Sequence, residues 1–203
     1  GIGIVTAATW ADVDADGAPD LLVATDWGPV RLWKNNGGKL EDSTGPSGLA
    51  AHLGWWNGLA AGDVDSDGDI DFVATNIGLN TKYKASVEKP EILYFGDLDG
   101  SGTPHLVEAK IEGAEILPRR GFSCSQNAMP FLKSKMGTFH NFASASLAEL
   151  YSGDRLSGAE RFVVNTLESG VFSNDGSGKF SFSPLARIAQ VAPSFGVVVE
   201  DIT

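Results

Sequence analysis

Two nine-residue segments of the chain share the pattern D-x-D-x-D-G-x-x-D, and this repeated pattern most constrains the fold. They run from Asp12 to Asp20 and from Asp63 to Asp71. Carboxylates at alternate positions of a tight loop converge on one point, and glycine at the sixth position permits the turn. Like charges held so close repel one another strongly unless a cation lies between them. The two segments therefore predict loops that bind a cation.

The chemistry of the side chains indicates which cation these loops bind. Hard oxygen ligands without histidine or cysteine favour calcium over zinc, copper or iron. Magnesium demands octahedral geometry and keeps its water, so it fits such a loop poorly. Aspartate, glycine and proline also form turns without a metal. Two copies with matched ninth aspartates nevertheless favour calcium, which is the cofactor that we expect.

The residues that flank the loops argue against an EF-hand. An EF-hand loop carries a bidentate glutamate at its twelfth position and continues into a helix. The corresponding residues are Val23 and Ala74. Short apolar runs of the strand type lie on both sides of each loop, at residues 2–9, 20–25, 57–62 and 71–75. Each loop is therefore predicted to join two strands.

The chain repeats itself with a period of about 50 residues. The first aspartates of the two loops, Asp12 and Asp63, are 51 residues apart. A strand, a glycine-rich turn and a second strand follow the first loop at residues 29–43, and the same hairpin pattern returns at residues 169–182. Loop, two strands and hairpin, repeated in this way, are typical of propeller blades. The predicted fold class is all-β, with blades of four-stranded antiparallel sheets.

These motifs resemble the FG-GAP/VCBS repeats of the integrin α-chain propeller and of many bacterial secreted proteins. The hairpins carry L-W-K-N-N-G-G-K-L from Leu32 and S-N-D-G-S-G-K-F from Ser173. Residues 54–80 are similar to the bacterial relatives of cartilage acidic protein, many of which carry an ASPIC/UnbV domain. The resemblance implies a seven-bladed propeller, of which this chain supplies a part.

The resemblance also implies a set of calcium ligands in the loop between the first two strands of a blade. The side chains at positions one, three, five and nine would bind the ion together with the backbone carbonyl of position seven. These positions are occupied by Asp12, Asp14, Asp16, Ala18 and Asp20 in the first loop and by Asp63, Asp65, Asp67, Asp69 and Asp71 in the second.

A third segment, from Asp97 to His105, departs from the pattern. It keeps Asp97 and Asp99 and has Ser101 at the fifth position, where a hydroxyl can still act as an oxygen ligand. The ninth position is His105, which cannot supply a carboxylate. This loop is expected either to bind calcium weakly through water or to hold its shape without metal. A fourth loop is predicted to begin near Asp201.

The β pattern lapses in the middle of the chain. Apolar residues between Leu132 and Leu150 recur every three or four positions, which predicts an amphipathic helical face broken near Gly137. We therefore expect propeller blades with calcium loops at 1–117, a mainly helical insertion at 118–164, and a further blade, truncated at its end, at 165–203.

Tryptophans offer the other candidate site. Trp10 and Trp33 are expected to fill the space between blades. Neighbouring side chains on one strand face opposite sides of a sheet, so Trp55 and Trp56 cannot both point inward. One of these two is therefore a candidate contact for a ligand.

Charge and composition exclude several classes of partner. The chain has 26 acidic and 15 basic side chains, a formal net charge of −11, and such a surface repels nucleic acid. No apolar stretch approaches the roughly 18 residues of a membrane span, so membrane insertion is not expected. The single cysteine, Cys124, excludes a disulfide framework and a zinc finger.

The predicted function is a calcium-binding extracellular module that mediates binding or adhesion to a protein or a glycan. The alternatives are a lectin-like carbohydrate-binding propeller and the non-catalytic part of a secreted polysaccharide-degrading enzyme. The chain has no G-x-S-x-G or H-E-x-x-H motif, and we expect no catalytic activity. Its location is expected to be secreted, periplasmic or at the cell surface. The rest of a longer chain, or another subunit, is expected to complete the ring.

Overall fold

A computed structural model describes residues 3–200. The strands in this range are β1 (Ile4–Ala11), β2 (Asp20–Pro29), β3 (Arg31–Asn36), β4 (Lys39–Asp42), β5 (Leu53–Trp55), β6 (Gly58–Gly62), β7 (Asp71–Thr75), β8 (Glu91–Gly96), β9 (His105–Glu112), β10 (Glu115–Pro118), β11 (Glu160–Val164), β12 (Gly170–Asn174) and β13 (Phe180–Pro184). The α-helices are α1 (Phe122–Ala128), α2 (Phe131–Met136), α3 (Phe139–Ala143), α4 (Leu147–Tyr151) and α5 (Gly153–Gly158), and short 3-10 turns lie at Leu49–Ala51 and Arg187–Gln190. The chain is thus mostly β, as expected, with four-stranded antiparallel sheets of the propeller type.

The fourth loop expected near Asp201 lies outside the described residues.

The first sheet is a blade whose strands follow one another along the chain. Its order is β1-β2-β3-β4, and every pair is antiparallel. Gly37 and Gly38, at φ +62° and +92°, form the turn between β3 and β4, where left-handed backbone suits glycine. The short strand β5 extends this sheet by pairing with the C-terminal half of β2. We call β1–β4 blade 1.

The second sheet is a blade assembled from two distant pieces of sequence. Its order is β6-β7-β12-β13, and β7 pairs with β12 in an antiparallel register that places Phe72 opposite Phe172. Residues 76–169 therefore leave the blade after its second strand and return at its third. We call these four strands blade 2.

Blades 1 and 2 share one apolar core. Phe72 and Phe172 stack with their ring centroids 4.7 Å apart, and Trp56 packs edge-on against Phe172. The buried members of this core are Val13, Leu22, Ala24, Val30, Leu32, Leu49, Trp56, Phe72, Ala74 and Phe172. Full burial of one such side chain stabilises the fold by about 1.5–3 kcal/mol, so this core holds the two blades together.

The segment inserted into blade 2 contains its own compact unit, Ser86–Val163. Its sheet has the order β10-β9-β8-β11, and the helices bury Leu132, Leu147 and Leu150 with the sheet residues Ile92 and Val107 in a separate core. No helix within the described range is long and apolar enough to cross a membrane.

The structure groups the residues differently from the division expected at 1–117, 118–164 and 165–203. One unit comprises the chain up to Ala85 and from Val164 onward, and the helices belong with β8–β10 in the other. The strands β12 and β13 complete blade 2 rather than start a further blade. The reason is pairing: β7 leaves an open edge, and β12 is the strand that occupies it.

The expected helical face is interrupted as predicted but only partly buried. The helix α2 ends at Gly137, whose φ of +70° stops the helix, and the Thr138 side chain accepts the N–H of Asn141 at the start of α3. The break changes the phase of the pattern. Phe142 is therefore buried, whereas Phe139 is exposed.

Candidate metal centre

Each of the three aspartate-rich segments connects two antiparallel neighbours in a sheet. Loop 1, residues 12–20, joins β1 to β2, and loop 2, residues 63–71, joins β6 to β7. Loop 3, residues 97–105, joins β8 to β9 in the inserted unit. The prediction that each loop lies between two strands is confirmed.

All three loops share a backbone with two left-handed positions, the fourth and the sixth. At the sixth position, Gly17, Gly68 and Gly102 have φ between +82° and +96°, as the sequence predicted. At the fourth position, φ is +55° for Ala15, +64° for Ser66 and +79° for Gly100. The sequence did not reveal this second position, because two of its three residues are not glycine. Left-handed backbone is strained for such residues, so the loop must be held by other interactions.

Part of that support comes from the first aspartate, whose carboxylate binds the backbone N–H groups of its own loop. Asp12 accepts the N–H of Gly17 at 2.9 Å, and Asp63 accepts that of Gly68 at 3.1 Å. The equivalent bond in loop 3 joins Gly102 to Asp97 at 2.9 Å. These bonds turn the backbone inward and leave the later carboxylates to face the same point.

Three carboxylates meet in loop 1 and three in loop 2. Oxygen atoms of Asp12, Asp14 and Asp16 all lie within 4.8 Å of one another, and so do oxygen atoms of Asp63, Asp65 and Asp71. In loop 1 the Oδ1 atom of Asp14 is buried and has no hydrogen-bond partner. A buried carboxylate oxygen without a partner is costly, and a bound cation would satisfy it. The donor set of oxygens fits calcium.

The aspartate at the fifth position accepts a backbone N–H of its own loop. Asp67 is exposed, and its Oδ1 accepts the backbone N–H of Asp69 at 2.9 Å. Asp16 likewise accepts the N–H of Ala18 at 2.8 Å. These hydrogen bonds bring the seventh residue close to the fifth. The seventh residue is the one whose backbone carbonyl is implied as a calcium ligand.

The ninth aspartate is buried and joins its loop to the third strand of the blade. In loop 1, Asp20 accepts the N–H of Val13 at 3.1 Å and that of Asn35 at 2.7 Å. In loop 2, Asp71 accepts the N–H of Val64 at 2.9 Å and that of Asn174 at 2.8 Å. The ninth aspartate therefore has a structural role as well as its predicted role as a ligand.

Desolvation, together with neighbouring negative charge, raises the pKa of two of these carboxyls. Burial raises the pKa of Asp20 despite its two N–H donors, and the charges of Asp14 and Asp16 raise it further. Desolvation likewise raises the pKa of Asp65, with added repulsion from its neighbours in loop 2. A cation at either point would relieve this repulsion.

Asn35 and Asn174 are a matched pair that sequence reasoning missed. Each donates its backbone N–H to the ninth aspartate of its own blade. Each also accepts a glycine N–H in the hairpin turn, from Gly38 and from Gly178, and donates to the carbonyl of the eighth loop residue. The signal lay in the two similar hairpin sequences, each with asparagine at the end of its third strand.

Loop 1 has an internal positive charge that loop 2 lacks. The Nζ atom of Lys34 lies 3.0 Å from Oδ2 of Asp14 and donates to the carbonyl of Ser177 in blade 2 at 3.0 Å. The residue in the equivalent position of blade 2 is Ser173. Loop 2 therefore presents more uncompensated negative charge to a cation than loop 1.

Loop 3 keeps the backbone of the other loops but not their cluster of carboxylates. Hydrogen bonds from the hydroxyl and N–H of Ser101 are the main reason that the pKa of Asp99 is lowered to about 2. The Nε2 atom of His105 lies 3.3 Å from Oδ2 of Asp99 and adds to this effect. Asp97 uses both oxygens to accept N–H groups of its own loop, as Asp12 and Asp63 do in theirs. The contacts of Asp99 with Ser101 and His105 are what favour the alternative in which loop 3 holds its shape without a metal.

The structure separates the two neighbouring tryptophans as expected. Trp56 is fully buried and donates its indole N–H to the carbonyl of His52 at 3.2 Å, so it cannot contact a ligand. Trp55 faces the opposite side, is half-buried and contacts the rings of Trp27 and Tyr83. Trp10, expected to fill a gap between blades, is 58% exposed and lies on the edge strand β1.

Residues 12–74 match the family model of the FG-GAP-like repeat. This part of the chain, about a third of its length, is thus similar to FG-GAP-like repeats. The matched segment begins at the first aspartate of loop 1 and ends within β7, so it includes loops 1 and 2 completely. A comparison with curated proteins finds no match to the chain. The matched segment thus covers loop 1 and β2–β4 of blade 1, and β6 and most of β7 of blade 2.

Proposed function

We propose that this chain is part of a calcium-stabilised β-propeller that binds a protein or a glycan outside the cytoplasm. The observation that carries the proposal is the convergence of three carboxylates in each of two loops of one FG-GAP-like repeat. Such repeats occur in propeller modules of adhesion and extracellular proteins. The role is one of binding rather than catalysis.

The calcium sites would consist of the predicted ligands of loops 1 and 2. The side chains of Asp12, Asp14 and Asp16 would hold the ion in loop 1, and those of Asp63, Asp65 and Asp71 in loop 2. Bound calcium supplies positive charge that offsets the repulsion within each loop. The carboxylates keep the strands on either side of the loop in register, since they also accept the N–H groups that turn the backbone.

The extracellular location rests on the expected strength of calcium binding. Loops of similar chemistry in extracellular modules bind calcium with a Kd of about 10⁻⁴–10⁻³ M, which suits secreted proteins rather than cytosolic ones. Loops 1 and 2 lack the bidentate glutamate of tighter sites, and Lys34 further weakens loop 1.

We therefore expect a calcium Kd near the millimolar range, measured by isothermal titration calorimetry on the purified chain after removal of metal. Asp65→Ala should abolish binding to loop 2 and leave binding to loop 1. A Kd below about 10⁻⁷ M, the tight end of cytosolic sensors, would contradict the extracellular location.

Further blades are proposed to pack against blade 2, from a longer chain or another subunit. Val13, the second residue of loop 1, is buried, and its carbonyl accepts the Asn174 side chain of the neighbouring blade. Val64 occupies the same position in loop 2 and is 41% exposed. By equivalence of the two loops, Val64 is the residue that the next blade would cover.

The other side of the blade pair has a similar surface. Along β1, Ile4 is 67% exposed and Val5 is 52% exposed. Exposed apolar side chains on an edge strand favour association with another chain or segment.

Light scattering on this 203-residue chain is therefore expected to show self-association at micromolar concentration. Replacing the exposed apolar residues by Val64→Asp and Val5→Lys should reduce the association, whereas Val87→Lys, an exposed valine of the inserted unit, should not. A stable monomer across the concentration range would refute the proposal of a completed ring.

A further inference from the structure

A strained bulge in β2 places one tryptophan in an unusual conformation. The register between β2 and β5 shifts between Asp26 and Gly28, so Trp27 has no partner across the strand pair. Its φ is +55°, in the left-handed region that bulky side chains rarely adopt. Strain of this kind persists only where the surroundings enforce it, and it concentrates at ligand sites.

The surrounding residues enforce the bulge. The hydroxyl of Thr25 donates to the carbonyl of Pro29 at 2.6 Å, which closes the bulge from one side. A Cβ atom on Gly28 would lie 2.7 Å from that hydroxyl oxygen, so only glycine fits there. The sequence of residues 25–29 is therefore matched to the conformation that presents Trp27.

Trp27 forms a fixed aromatic cluster with Trp55 and Tyr83. The centroids of Trp27 and Trp55 are 4.6 Å apart in an edge-to-face arrangement, and those of Trp55 and Tyr83 are 4.8 Å apart. All three side chains are half-buried. The backbone N–H of Trp55 donates to Oδ1 of the fully buried Asn76 at 3.2 Å, which holds the cluster to the core.

A carboxylate lies opposite Trp55 on the neighbouring strand. Asp26 is directly opposite Trp55 in the β2–β5 pair, and opposite residues of an antiparallel pair project from the same face. Burial raises the pKa of Asp26, although the N–H of Trp27 partly offsets this effect. The cluster thus combines an apolar surface with a partly desolvated hydrogen-bond acceptor.

We propose that Trp27, Trp55 and Asp26 form a binding site for a neutral pyranose sugar, an inference that rests on the proposed binding function. The apolar C–H face of a pyranose ring stacks on an aromatic ring, and its hydroxyl groups donate to the carboxylate. Neighbouring rings here are in contact, with centroids 4.6 Å and 4.8 Å apart, so no gap the size of a quaternary ammonium group lies between them.

The experiment is a tryptophan-fluorescence titration of the full chain, in calcium, with neutral oligosaccharides of glucose, galactose, mannose and xylose. At least one series is expected to bind. Trp55→Ala and Trp27→Gly should weaken that binding about tenfold or more, which corresponds to the loss of one aromatic contact. Trp10→Ala, which removes an exposed tryptophan on β1, should leave the affinity unchanged.

Asp26→Asn tests the site in a variant that is expected to fold, because it keeps the size of the side chain and the aromatic packing. It should weaken sugar binding while the melting temperature in calcium stays close to that of the unmodified chain. The inference would be overturned if no sugar bound, or if choline bound instead of sugars. It would also be overturned if the Trp55→Ala variant bound sugar as tightly as the unmodified chain. Calcium-dependent melting, measured on the same preparations, separates failure of this inference from failure of the proposed calcium function.

Discussion

Chelation of calcium is expected to lower the melting temperature of this chain by roughly 10 °C. A ligand that binds only the native state at ten- to a hundredfold excess over its Kd stabilises it by about 1.4–2.7 kcal/mol per site. Two sites together contribute about 3–5 kcal/mol, and each kcal/mol shifts the melting temperature of a domain of this size by about 2–4 °C. Differential scanning calorimetry with calcium and with EDTA measures the effect.

Single-site variants divide this effect between the loops. Asp14→Ala and Asp65→Ala should each remove about half of the calcium-dependent shift, because each disables one of the two clusters. Asp154→Ala, at an exposed carboxylate on α5, is the matched control and should leave the shift intact. An identical melting curve with and without EDTA, for protein first shown to contain calcium, would contradict the metal assignment.

Asp71→Ala is expected to lower the free energy of unfolding by about 4 kcal/mol even without metal. The side chain is fully buried, and its two oxygens accept the N–H groups of Val64 and Asn174. Removing it leaves the buried N–H of Asn174 and the part-buried N–H of Val64 without a partner, each at a cost of about 1–3 kcal/mol. Urea denaturation in EDTA measures this loss separately from calcium binding.

Asp67→Ala is the matched control for Asp71→Ala in the same loop. Asp67 is exposed, so its replacement in EDTA should change the free energy of unfolding by less than about 1 kcal/mol. Asp71→Asn should lose less than Asp71→Ala, since its remaining carbonyl oxygen still accepts one N–H. Equal stability of the two alanine variants in EDTA would show that the ninth aspartate has no separate structural role.

The sequence was sufficient for features that depend on neighbouring residues. Aspartates at alternate positions, with glycine at the sixth, predicted the convergence of Asp12, Asp14 and Asp16 because the backbone of a nine-residue loop leaves few alternatives. The strands on either side of loops 1 and 2 followed from short apolar runs. Alternation along one strand also predicted that Trp55 and Trp56 face opposite ways.

The sequence was not sufficient for features that depend on which segments meet in space. The pairing of β7 with β12 joins residues about 100 positions apart, and any exposed edge of suitable length could have served as the partner. The contribution of Asn174 to loop 2 follows from that pairing, so it was equally hidden. The strained bulge at Trp27 depends on the match between β2 and β5, which no local pattern records.

The division of blade 2 has a consequence for synthesis of the chain on the ribosome. After β7 emerges, the 94 residues at positions 76–169 must be translated before β12 exists. At 5–20 residues per second this interval lasts about 5–20 s. Throughout it Phe72 and Ala74, which are fully buried in the finished protein, lie on a strand whose outer edge has no partner. The nascent chain is therefore vulnerable to aggregation during this interval, and chaperones that bind extended apolar segments would act then.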